Sequence, residues 1–485
     1  MGRNVAIVGA GVGGLATAAR LAHRGYQVNV FEKLPECGGR AHIIEDRGFK
    51  FDTGPSFILM PDFFNEVFSY CGEDLQNYLN LKVLDTSYKI FYPDRTTLTI
   101  FRDSEHTKQE FEKYEKGSAH SFGAFTEETT KIYKAVRPLL YSCFTKRSLV
   151  NPLYLTLLPT LKAHRSYWQV AKKFFKADKL CYALTFQAMF IGVSPFEAPG
   201  FYSIITYADY IQKIYYSIGG IYQVSKALEK MAQKFGAQFN YDSEIKKIKH
   251  REGSLILEMC DGIVEADKVV VNADYAYTQR DLLGRHLPNF KYSCSVYLLY
   301  LGLKQKIDGL EYHNVFFADD VRKNLRQIFK DKLVSLDPSF YLHVPTVTDT
   351  SLAPEGKDIV YILVPVPNLE NCKENFTEHE ERLRKVVFDK INRTLEIDLE
   401  NLIEVEHKFY PQDFIDRYNI KYGAAFGLAH SLLQSAFFRP PNFDSKIKNL
   451  YFVGASTQPG GGLPPVIASS RIVADLITTE KRRNL

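Results

Sequence analysis

Three glycines near the start of the chain have the spacing of a loop that binds a pyrophosphate. Gly9, Gly11 and Gly14 form a Gly-x-Gly-x-x-Gly pattern between an apolar stretch at residues 3–9 and a stretch rich in Ala and Leu. The first glycine permits a tight turn, the second lets the backbone approach the phosphates, and the third allows close packing of a helix on a strand. The first N–H groups of that helix then face the anion. The pattern therefore predicts a dinucleotide-binding loop followed by a helix.

An acidic residue at the end of the next predicted strand supports this interpretation. Residues 27–31 are typical of a strand, and Glu32 follows them directly, 18 residues after Gly14. A carboxylate in this position binds both hydroxyls of an adenosine ribose. Its charge would repel a 2′-phosphate, so Glu32 argues against NADP as the ligand.

Two further segments extend the predicted site beyond what NAD requires. A Gly-Gly-Arg sequence at residues 38–40 provides another close approach of the backbone and places the Arg40 guanidinium near a phosphate or a flavin. A Phe-Asp-Thr-Gly-Pro-Ser sequence follows at residues 51–56, and a Val-Gly-Ala-Ser sequence lies at residues 453–456. Together these segments are similar to the flavin-binding pattern of the amine-oxidase-like superfamily.

Over essentially its whole length the sequence resembles the bacterial-type phytoene desaturases, a family of FAD-dependent carotenoid desaturases and isomerases. Beyond the N-terminal segments, the resemblance rests on blocks that occur in the expected order, at residues 272–274, 347–356, 434–440 and 451–464. Many members have a histidine where this chain has Gln458, so no imidazole is available at that position for acid–base chemistry. A second proline, Pro465, is another departure from the family pattern.

The resemblance implies that FAD is the cofactor and that a defined set of residues contacts it. These residues are Gly9, Gly11, Gly13, Gly14, Glu32, Lys33, Gly39, Arg40, Gly54, Pro55, Ser56, Ile245, Gly454 and Val466. The resemblance places Ile245 beside the adenine, and Gly454 and Val466 around the isoalloxazine. Independently of it, a Gly-rich loop that opens a helix can direct N–H groups at flavin N1 and O2, where hydride transfer leaves negative charge.

A long hydrocarbon substrate offers no hydrogen-bonding groups, so its binding site must be an apolar tunnel. The predicted wall consists of large apolar side chains in a mainly helical region, namely Phe186, Met189, Phe190, Ile191, Phe201, Tyr202, Tyr207 and Tyr210. In the expected reaction a hydride leaves an allylic carbon for flavin N5 and a proton leaves the neighbouring carbon, which forms a C=C bond. We assign no catalytic base, because an adjacent double bond stabilises cationic character.

Positive charge is concentrated in residues 131–180, which we call the basic segment. It holds eleven Lys and Arg and one acid, Asp178, whereas the whole chain has a net charge of +5. Within it, residues 149–159 are rich in Leu and are interrupted by prolines. This combination favours contact with an anionic membrane surface, from which a polyene substrate could enter directly. A solvated helical face is the alternative, and no nucleic-acid recognition motif accompanies the basic residues.

Composition narrows the class of protein. The 485 residues are 45% hydrophobic and 24% charged, as in ordinary globular proteins. Seven scattered cysteines without a Cys-x-x-Cys pair indicate a reducing compartment and argue against a disulfide framework or a metal site. No apolar run approaches the ~20 residues that span a bilayer, and a nucleotide-binding motif from residue 9 argues against a cleavable signal. We therefore expect a cytoplasmic protein that is peripherally associated with the membrane.

The strands and helices that the sequence predicts around these residues indicate an α/β fold with interleaved domains. Strand patterns are expected at 3–9, 27–31, 81–101, 245–271, 293–303, 358–366 and 450–453, and helices at 61–70, 120–143, 377–395 and about 466–480. A discontinuous Rossmann-like FAD domain is expected at 1–70, 218–290 and 440–485. A mixed-sheet substrate domain would comprise 72–109 and 291–439, and a helical, membrane-facing lobe 110–217.

The predicted function is FAD-dependent desaturation of a carotenoid precursor of the phytoene or diapophytoene type, with quinone or oxygen as electron acceptor. A carotenoid cis–trans isomerase or saturase would share the FAD residues but require reduced flavin. An amine oxidase would share the N-terminal pattern, but we would expect an acidic residue where this chain has Ala455. A non-catalytic flavoprotein scaffold on the membrane is a further alternative.

Overall fold

The computed structural model of the protein describes residues 3–145, 148, 152–251, 253–372 and 376–479. It has a mixed α/β fold, as the sequence predicts. The strands, in chain order, are β1 (Asn4–Val8), β2 (Gln27–Phe31), β3 (Ile43–Asp46), β4 (Phe49–Asp52), β5 (Leu81–Val83), β6 (Thr86–Phe91), β7 (Thr97–Phe101), β8 (Tyr215–Ser217), β9 (Gln238–Asn240), β10 (Lys247–Arg251), β11 (Ser254–Glu258), β12 (Ile263–Ala266), β13 (Lys268–Val271), β14 (Ser295–Leu303), β15 (His313–Phe316), β16 (Phe340–His343), β17 (Asp358–Val366), β18 (Ile403–Phe409) and β19 (Leu450–Phe452).

Helices surround and connect these strands. In chain order they are α1 (Val12–His23), α2 (Asp62–Tyr70), α3 (Ser104–Glu112), α4 (Ser118–Val136), α5 (Pro152–Leu161), α6 (Tyr167–Lys172), α7 (Asp178–Ala183), α8 (Ile204–Tyr210), α9 (Tyr222–Lys234), α10 (Tyr275–Tyr277), α11 (Val321–Arg326), α12 (Phe376–Leu395), α13 (Leu399–Leu402), α14 (Pro411–Tyr418) and α15 (Leu463–Thr478). Short 3-10 helices include Phe186–Ile191, Leu432–Gln434 and Ala436–Phe438.

A five-stranded parallel sheet carries the predicted nucleotide-binding loop. Its strand order is β19–β13–β1–β2–β9, so strands from the beginning, middle and end of the chain lie side by side. The apolar residues of β1 are buried, as expected for a strand covered on both faces. The buried helix α1 packs against α9 and α15. The carboxyl ends of β1, β13 and β19 therefore meet at one edge of the sheet.

A second, seven-stranded sheet has the order β18–β14–β17–β16–β15–β6–β7. Its long central strands β14 and β17 are antiparallel, with Leu299 opposite Ile362. The predicted hairpin at 81–101 is shorter than expected, because only β6 and β7 pair with each other. Residues Leu81–Val83 instead pair with β8, so this part of the prediction is wrong.

The region between β7 and β8 is mainly helical, as predicted. Helices α4 and α8 contact each other, and α4 also contacts α5. The terminal helix α15 begins at Leu463, three residues before the expected start at 466. The two prolines that follow Leu463 fit the first turn of a helix, where the backbone N–H groups have no partner within the helix.

Candidate functional site

One large cavity, with a volume of about 560 Å³, connects the parallel sheet to the helical region and the second sheet. All of the predicted FAD contacts except Gly14 line it. The part formed by the glycine loop, Glu32, Gly39, Arg40 and Gly454 is called the polar end. The part formed mainly by apolar side chains is called the apolar end, and its lining includes Phe186, Met189, Phe190, Ile191, Tyr202 and Tyr341.

The polar end is a cradle of closely packed backbone. A Cβ atom on Gly11 would lie 2.8 Å from Asn272 Nδ2, and one on Gly13 would lie 2.6 Å from Asn272 Oδ1. A Cβ atom on Gly14 would lie 2.1 Å from the carbonyl oxygen of Gly9. Gly14 therefore has the packing role expected of the third glycine, while Gly11 and Gly13 leave the cavity open.

Gly39 and Gly54 bring two further loops to this cradle. A Cβ atom on Gly39, whose φ is +57°, would lie 3.3 Å from Gly11 Cα. A Cβ atom on Gly54 would lie 2.0 Å from the carbonyl oxygen of Arg40. Space for a ligand at the polar end is therefore obtained by omitting side chains at positions where the backbones nearly touch.

Glu32 lies at the end of β2 and is 7% exposed. Its Oε2 accepts a hydrogen bond from the Ala10 N–H at 2.7 Å, and its Oε1 accepts one from the Leu34 N–H at 3.0 Å. Burial raises the pKa of the Glu32 carboxyl, and these two backbone donors oppose that change. Each oxygen retains a lone pair for a further donor, such as a ribose hydroxyl.

Two cationic side chains contribute to the polar end. Arg40 donates from Nη1 to the Ala425 carbonyl oxygen at 2.9 Å, and Lys33 Nζ donates to the Asp416 carbonyl oxygen at 3.3 Å. Burial lowers the pKa of both groups, and the charge of Asp274 opposes that change at Arg40. A half-buried guanidinium on a cavity wall suits an anionic group such as a phosphate.

Asn272 and Asp274 also line the polar end, although the sequence identified them only through a family block. Asn272 follows β13, and its side chain lies among Gly9, Gly11, Gly13 and Gly454. Asp274 accepts a hydrogen bond from Ser456 Oγ at 2.7 Å, which joins the end of β13 to the loop after β19.

The loop before α15 offers fewer free N–H donors than the sequence analysis assumed. Pro464 and Pro465 have no backbone N–H, and the Val466 N–H donates to the Gly462 carbonyl oxygen at 3.0 Å. The Gly461 N–H donates to His430 Nε2 at 3.0 Å. Gly460, Gly462 and Leu463 are therefore the positions at this helix start that can donate to a ligand.

His430 is a cavity residue that the sequence analysis missed. Its Nδ1 donates to the Ile191 carbonyl oxygen at 3.1 Å, while its Nε2 accepts from Gly461. Burial holds the pKa of His430 well below its ordinary value, so the ring is neutral. A lone histidine in the sequence gives no signal of this position, because its partners lie far away in the chain.

Gln458 has a structural role. Its Oε1 accepts from the Phe144 N–H at 2.7 Å, and its Nε2 donates to the carbonyl oxygens of Phe144 and Arg439, each at 3.1 Å. The side chain is fully buried. Gln458 thus joins the basic segment to the loop before α15, and it does not line the cavity.

The apolar end contains most of the predicted tunnel wall. Phe186, Met189, Phe190, Ile191 and Tyr202 line the cavity, whereas Phe201, Tyr207 and Tyr210 do not. Tyr207 stacks on Tyr133 with ring centroids 4.4 Å apart, and Tyr210 donates to the Ala183 carbonyl oxygen at 2.7 Å. Phe201 packs against Tyr202. These three residues belong to the packing behind the wall.

The fold and this cavity define the class of protein. The family model described as flavin containing amine oxidoreductase matches residues 12–478, and the chain belongs to this family. The glycine cradle, the buried Glu32 carboxylate and the Arg40 guanidinium fit a flavin dinucleotide, and the cofactor is FAD. The chain is thus an FAD-dependent oxidoreductase.

The names of two curated relatives describe a more specific activity than the name of the family. The chain is 37% identical to the zeta-carotene-forming phytoene desaturase of Myxococcus xanthus, over 99% of this chain and 94% of the relative. It is 35% identical to the 4,4′-diapophytoene desaturase (4,4′-diaponeurosporene-forming) of Staphylococcus haemolyticus, over 97% of this chain and 98% of the relative.

A solved structure of wild-type putrescine oxidase bound to putrescine has the same fold. It superposes with a TM-score of 0.63 at 16% sequence identity and covers 99% of each chain. This likeness shows the fold alone and carries no statement about the cavity or the substrate.

Proposed function

We propose that this chain introduces C=C bonds into a long isoprenoid substrate of the phytoene or diapophytoene type. The two relatives named above act on substrates of this class according to their names. FAD supplies the oxidant that takes up the hydride from an allylic carbon of the substrate. The residues of this chain must hold the cofactor, admit a polyene and exclude water.

The change in character along the cavity is the observation that carries this proposal. At the polar end the lining is backbone, Glu32 and Arg40, which suits a dinucleotide. At the apolar end the lining is dominated by Phe, Met, Ile and Tyr side chains, which suits a hydrocarbon. A soluble amine would require polar groups at the apolar end to compensate for the loss of its hydration.

We also propose that the cofactor-binding residues are those predicted from the sequence, together with Asn272 and Asp274. Glu32 would accept the ribose hydroxyls, Arg40 would face the phosphates, and Gly454 and Val466 would flank the isoalloxazine. The Rossmann-like FAD-binding domain would comprise 1–70, 218–290 and 440–485. The substrate domain would comprise 72–109 and 291–439, and the helical lobe 110–217.

Anaerobic incubation of the flavoprotein with phytoene or diapophytoene in liposomes tests the reaction. We expect bleaching of the flavin absorbance and one new double bond for each flavin reduced. A parallel incubation with dithionite-reduced flavoprotein identifies an isomerase or a saturase, which would act only in that sample. Flavin that stays oxidised with both polyenes, while putrescine or another amine reduces it, would contradict the desaturase proposal.

We further propose that the protein takes its substrate from an anionic membrane surface. In the part of the chain that the structure describes, no helix has both the length and the hydropathy needed to cross a bilayer. Exposed apolar side chains occur together at Leu432, Leu433 and Phe438, which are 44, 72 and 48% exposed. Three exposed apolar side chains within seven residues favour an interaction surface at this place.

This apolar surface lies beside the basic segment and the cavity. The Phe437 ring lies 4.5 Å from Phe144 and 5.5 Å from Tyr154 of α5, measured between centroids. Ser435 is hydrogen-bonded to the hydroxyl of the cavity residue Tyr202 at 2.9 Å. A membrane in contact with residues 432–438 would therefore be close to one wall of the apolar end.

The charge of the basic segment is smaller than its sequence suggests. Four of its cations form ion pairs with acids outside the segment, namely Lys131–Glu127, Arg137–Asp62, Lys162–Glu128 and Lys179–Asp94. Within the segment, Lys172 pairs with Asp178. Two other cations, Lys146 and Arg147, and residues 149–151 of the Leu-rich stretch lie outside the described residues. The exposed apolar surface is therefore the stronger support for membrane contact.

Co-sedimentation with vesicles that contain phosphatidylglycerol tests the membrane proposal. The variant Leu432→Ser, Leu433→Ser, Phe438→Ser should bind these vesicles less than the parent and retain its flavin. The matched control replaces three other exposed apolar residues, Ile263, Leu336 and Val347, by serine. If both triple variants sediment as the parent does, the membrane contact lies elsewhere.

The contribution of charge needs a separate variant. Changing Lys146, Arg147, Lys162 and Arg165 to Gln should weaken binding and make it less sensitive to salt, because surface charge is screened. The control removes the same charge from an exposed strand region, at Lys246, Lys247, Lys249 and Arg251. Equal binding by the two quadruple variants at every salt concentration would make the basic segment a solvated face.

A further inference from the structure

Two histidines lie opposite each other on neighbouring strands of the second sheet. His313 of β15 pairs with His343 of β16, and their rings stack with centroids 5.6 Å apart. They are 0 and 2% exposed, and the Nε2 atom of each has no hydrogen-bond partner among the described residues. Because burying an unpaired polar atom is costly, such a pair calls for an explanation.

A chain of hydrogen bonds joins His313 to the cavity. His313 Nδ1 lies 2.5 Å from the Tyr341 hydroxyl, which lies 2.9 Å from Ser56 Oγ. Tyr341 and Ser56 line the cavity, whereas His313 does not. A tyrosine hydroxyl both donates and accepts, so a proton arriving at its oxygen can displace its own proton towards His313.

The surroundings of His313 keep its ring neutral and weakly basic. Aromatic rings of Phe57, Tyr88 and Tyr312 pack against the imidazole at centroid distances of 5.1, 5.4 and 4.5 Å. Burial and the adjacent His343 hold the pKa of His313 well below its ordinary value. A neutral imidazole is a weak base, which suffices when the carbon that loses the proton is next to a carbon of cationic character.

Tyr341 lies where the two ends of the cavity meet. Its partner Ser56 ends the Gly-Pro-Ser loop, and Gly54 of that loop packs on the Arg40 carbonyl. On the other side, Phe190 packs edge-on against the Tyr341 ring with centroids 6.0 Å apart. The reacting carbons of the substrate must lie at this junction, because the cofactor is expected at one end and the hydrocarbon at the other.

We propose that the Tyr341 hydroxyl accepts the proton that the substrate loses and passes its own proton to His313 Nδ1. This inference rests on the proposed desaturation and names the group that completes it. Tyr341 would be the catalytic residue. His313 and Ser56 would both position its hydroxyl, and His313 would also store the proton.

The proposed proton transfer balances in atoms and electrons when FAD is the oxidant. The C–H bond next to the hydride-donating carbon breaks, and its electron pair becomes the new π bond. The released proton binds the Tyr341 oxygen while the Tyr341 O–H proton moves to His313 Nδ1. The two electrons leave the substrate with the hydride, and the stored proton returns through Tyr341 when a quinone or oxygen, as the final two-electron acceptor, is reduced and takes up protons.

Tyr341→Phe removes the hydroxyl and keeps the ring. We expect single-turnover flavin reduction by the liposome-embedded polyene to slow about 100-fold, at the lower end of the range for lost acid–base catalysis. The kinetic isotope effect of a substrate deuterated at the proton-losing carbon should rise, because that step becomes slower. The matched control is Tyr297→Phe, which removes a buried hydroxyl that donates to Glu380 Oε1 outside the cavity and should reduce its flavin as the parent does.

His313→Asn keeps a hydrogen-bonding side chain next to Tyr341 but has no basic nitrogen. It should slow flavin reduction to a similar extent, and the double variant should be no slower than the slower single variant, because the residues act in series. Flavin content and melting temperature, which a damaged fold would lower, are measured for every variant. If Tyr341→Phe does not retain FAD, His313→Asn carries the same test with the tyrosine ring in place.

The proposal is overturned if Tyr341→Phe, or His313→Asn in its place, reduces its flavin at the parental rate. It is also overturned if the rate falls while the isotope effect is unchanged, or if Tyr297→Phe slows equally, since the Tyr341 hydroxyl would then act no differently from a buried hydroxyl outside the cavity. These outcomes differ from a failure of the proposed function, in which the parent itself would not be reduced by either polyene.

Discussion

The two ends of the cavity are built from different parts of the polypeptide. The polar end is made largely of backbone with a few polar and charged side chains, and glycines at positions 11, 13 and 54 leave no room for a Cβ atom. The apolar end is made of side chains, among them Phe186, Phe190 and Tyr341, whose rings pack edge to face. A backbone cradle tolerates no enlargement, whereas a wall of side chains changes shape when one member changes. The polar end can therefore keep the same ligand, while the apolar end can adapt to different substrates.

Replacing a glycine of the cradle should have the largest effect. Gly13→Ala places a Cβ atom 2.6 Å from Asn272 Oδ1 and 3.1 Å from Val466 Cγ1. We expect the flavin content of the purified protein to fall at least 100-fold, because the loops around the cofactor must move apart. The matched control is Gly123→Ala in helix α4, where a Cβ atom meets nothing within 4 Å. Normal flavin content in Gly13→Ala would show that the cradle is not the cofactor site.

Removing the ribose-binding carboxylate should have the next largest effect. Glu32→Ala removes the acceptor for two backbone N–H groups and for the expected ribose hydroxyls. A lost hydrogen bond to a charged group costs about 1.5–3 kcal/mol, which is roughly tenfold to a hundredfold in FAD affinity. Titration of apoprotein with FAD measures this change. Glu36→Ala, which removes a half-exposed carboxylate paired with His42, should leave the affinity unchanged.

The same contrast explains what could be predicted from the sequence. The polar end was predictable because its residues are spaced along a few short segments, and the structure places Gly9, Glu32, Arg40 and Gly454 on one cavity. The apolar end was predicted only in part, since aromatic residues of a helical region look alike whether they face a cavity, as Phe190 does, or the core.

Residues that act through distant partners were not predictable. Tyr341 is hydrogen-bonded to Ser56, 285 positions away in the chain, and His430 to Ile191, 239 positions away. A single histidine or tyrosine has no spacing from which such a contact follows. The ion pairs of the basic segment were missed for the same reason, because Asp62 and Asp94 lie outside it.

Truncating a side chain of the apolar end should affect the substrate and leave the cofactor in place. Met189→Ala removes part of the cavity wall. Burying a methionine side chain contributes about 1.5–3 kcal/mol, of which the substrate contact is a part, so we expect the KM for liposome-embedded polyene to rise about tenfold. Met259→Ala, which truncates a half-buried methionine outside the cavity, is the control. A drop in flavin content in Met189→Ala alone would mean that the two ends are not separate.

The smallest effect should come from a carboxyl group buried behind the apolar end. Asp209 is fully buried and accepts a hydrogen bond from Tyr88 at 3.0 Å, and burial raises the pKa of its carboxyl to about 8. Unlike Glu32, whose two oxygens accept backbone N–H groups, Asp209 Oδ1 has no hydrogen-bond partner among the described residues. We therefore expect Asp209 to be protonated at neutral pH.

A carboxyl whose pKa is higher in the folded than in the unfolded protein stabilises the fold at low pH. This stabilisation is complete below the pKa of the unfolded chain and is lost as the pH rises through about 8. The melting temperature of the parent should therefore fall between pH 6 and pH 9, and Asp209→Asn should reduce that fall by about 2 °C. Asp94→Asn is the control, because the ion pair with Lys179 holds the pKa of the exposed Asp94 carboxyl to about 2. An Asp209→Asn variant with the parental pH dependence would mean that the carboxyl behind the apolar end is already charged at neutral pH, and the contrast with Glu32 would then be lost.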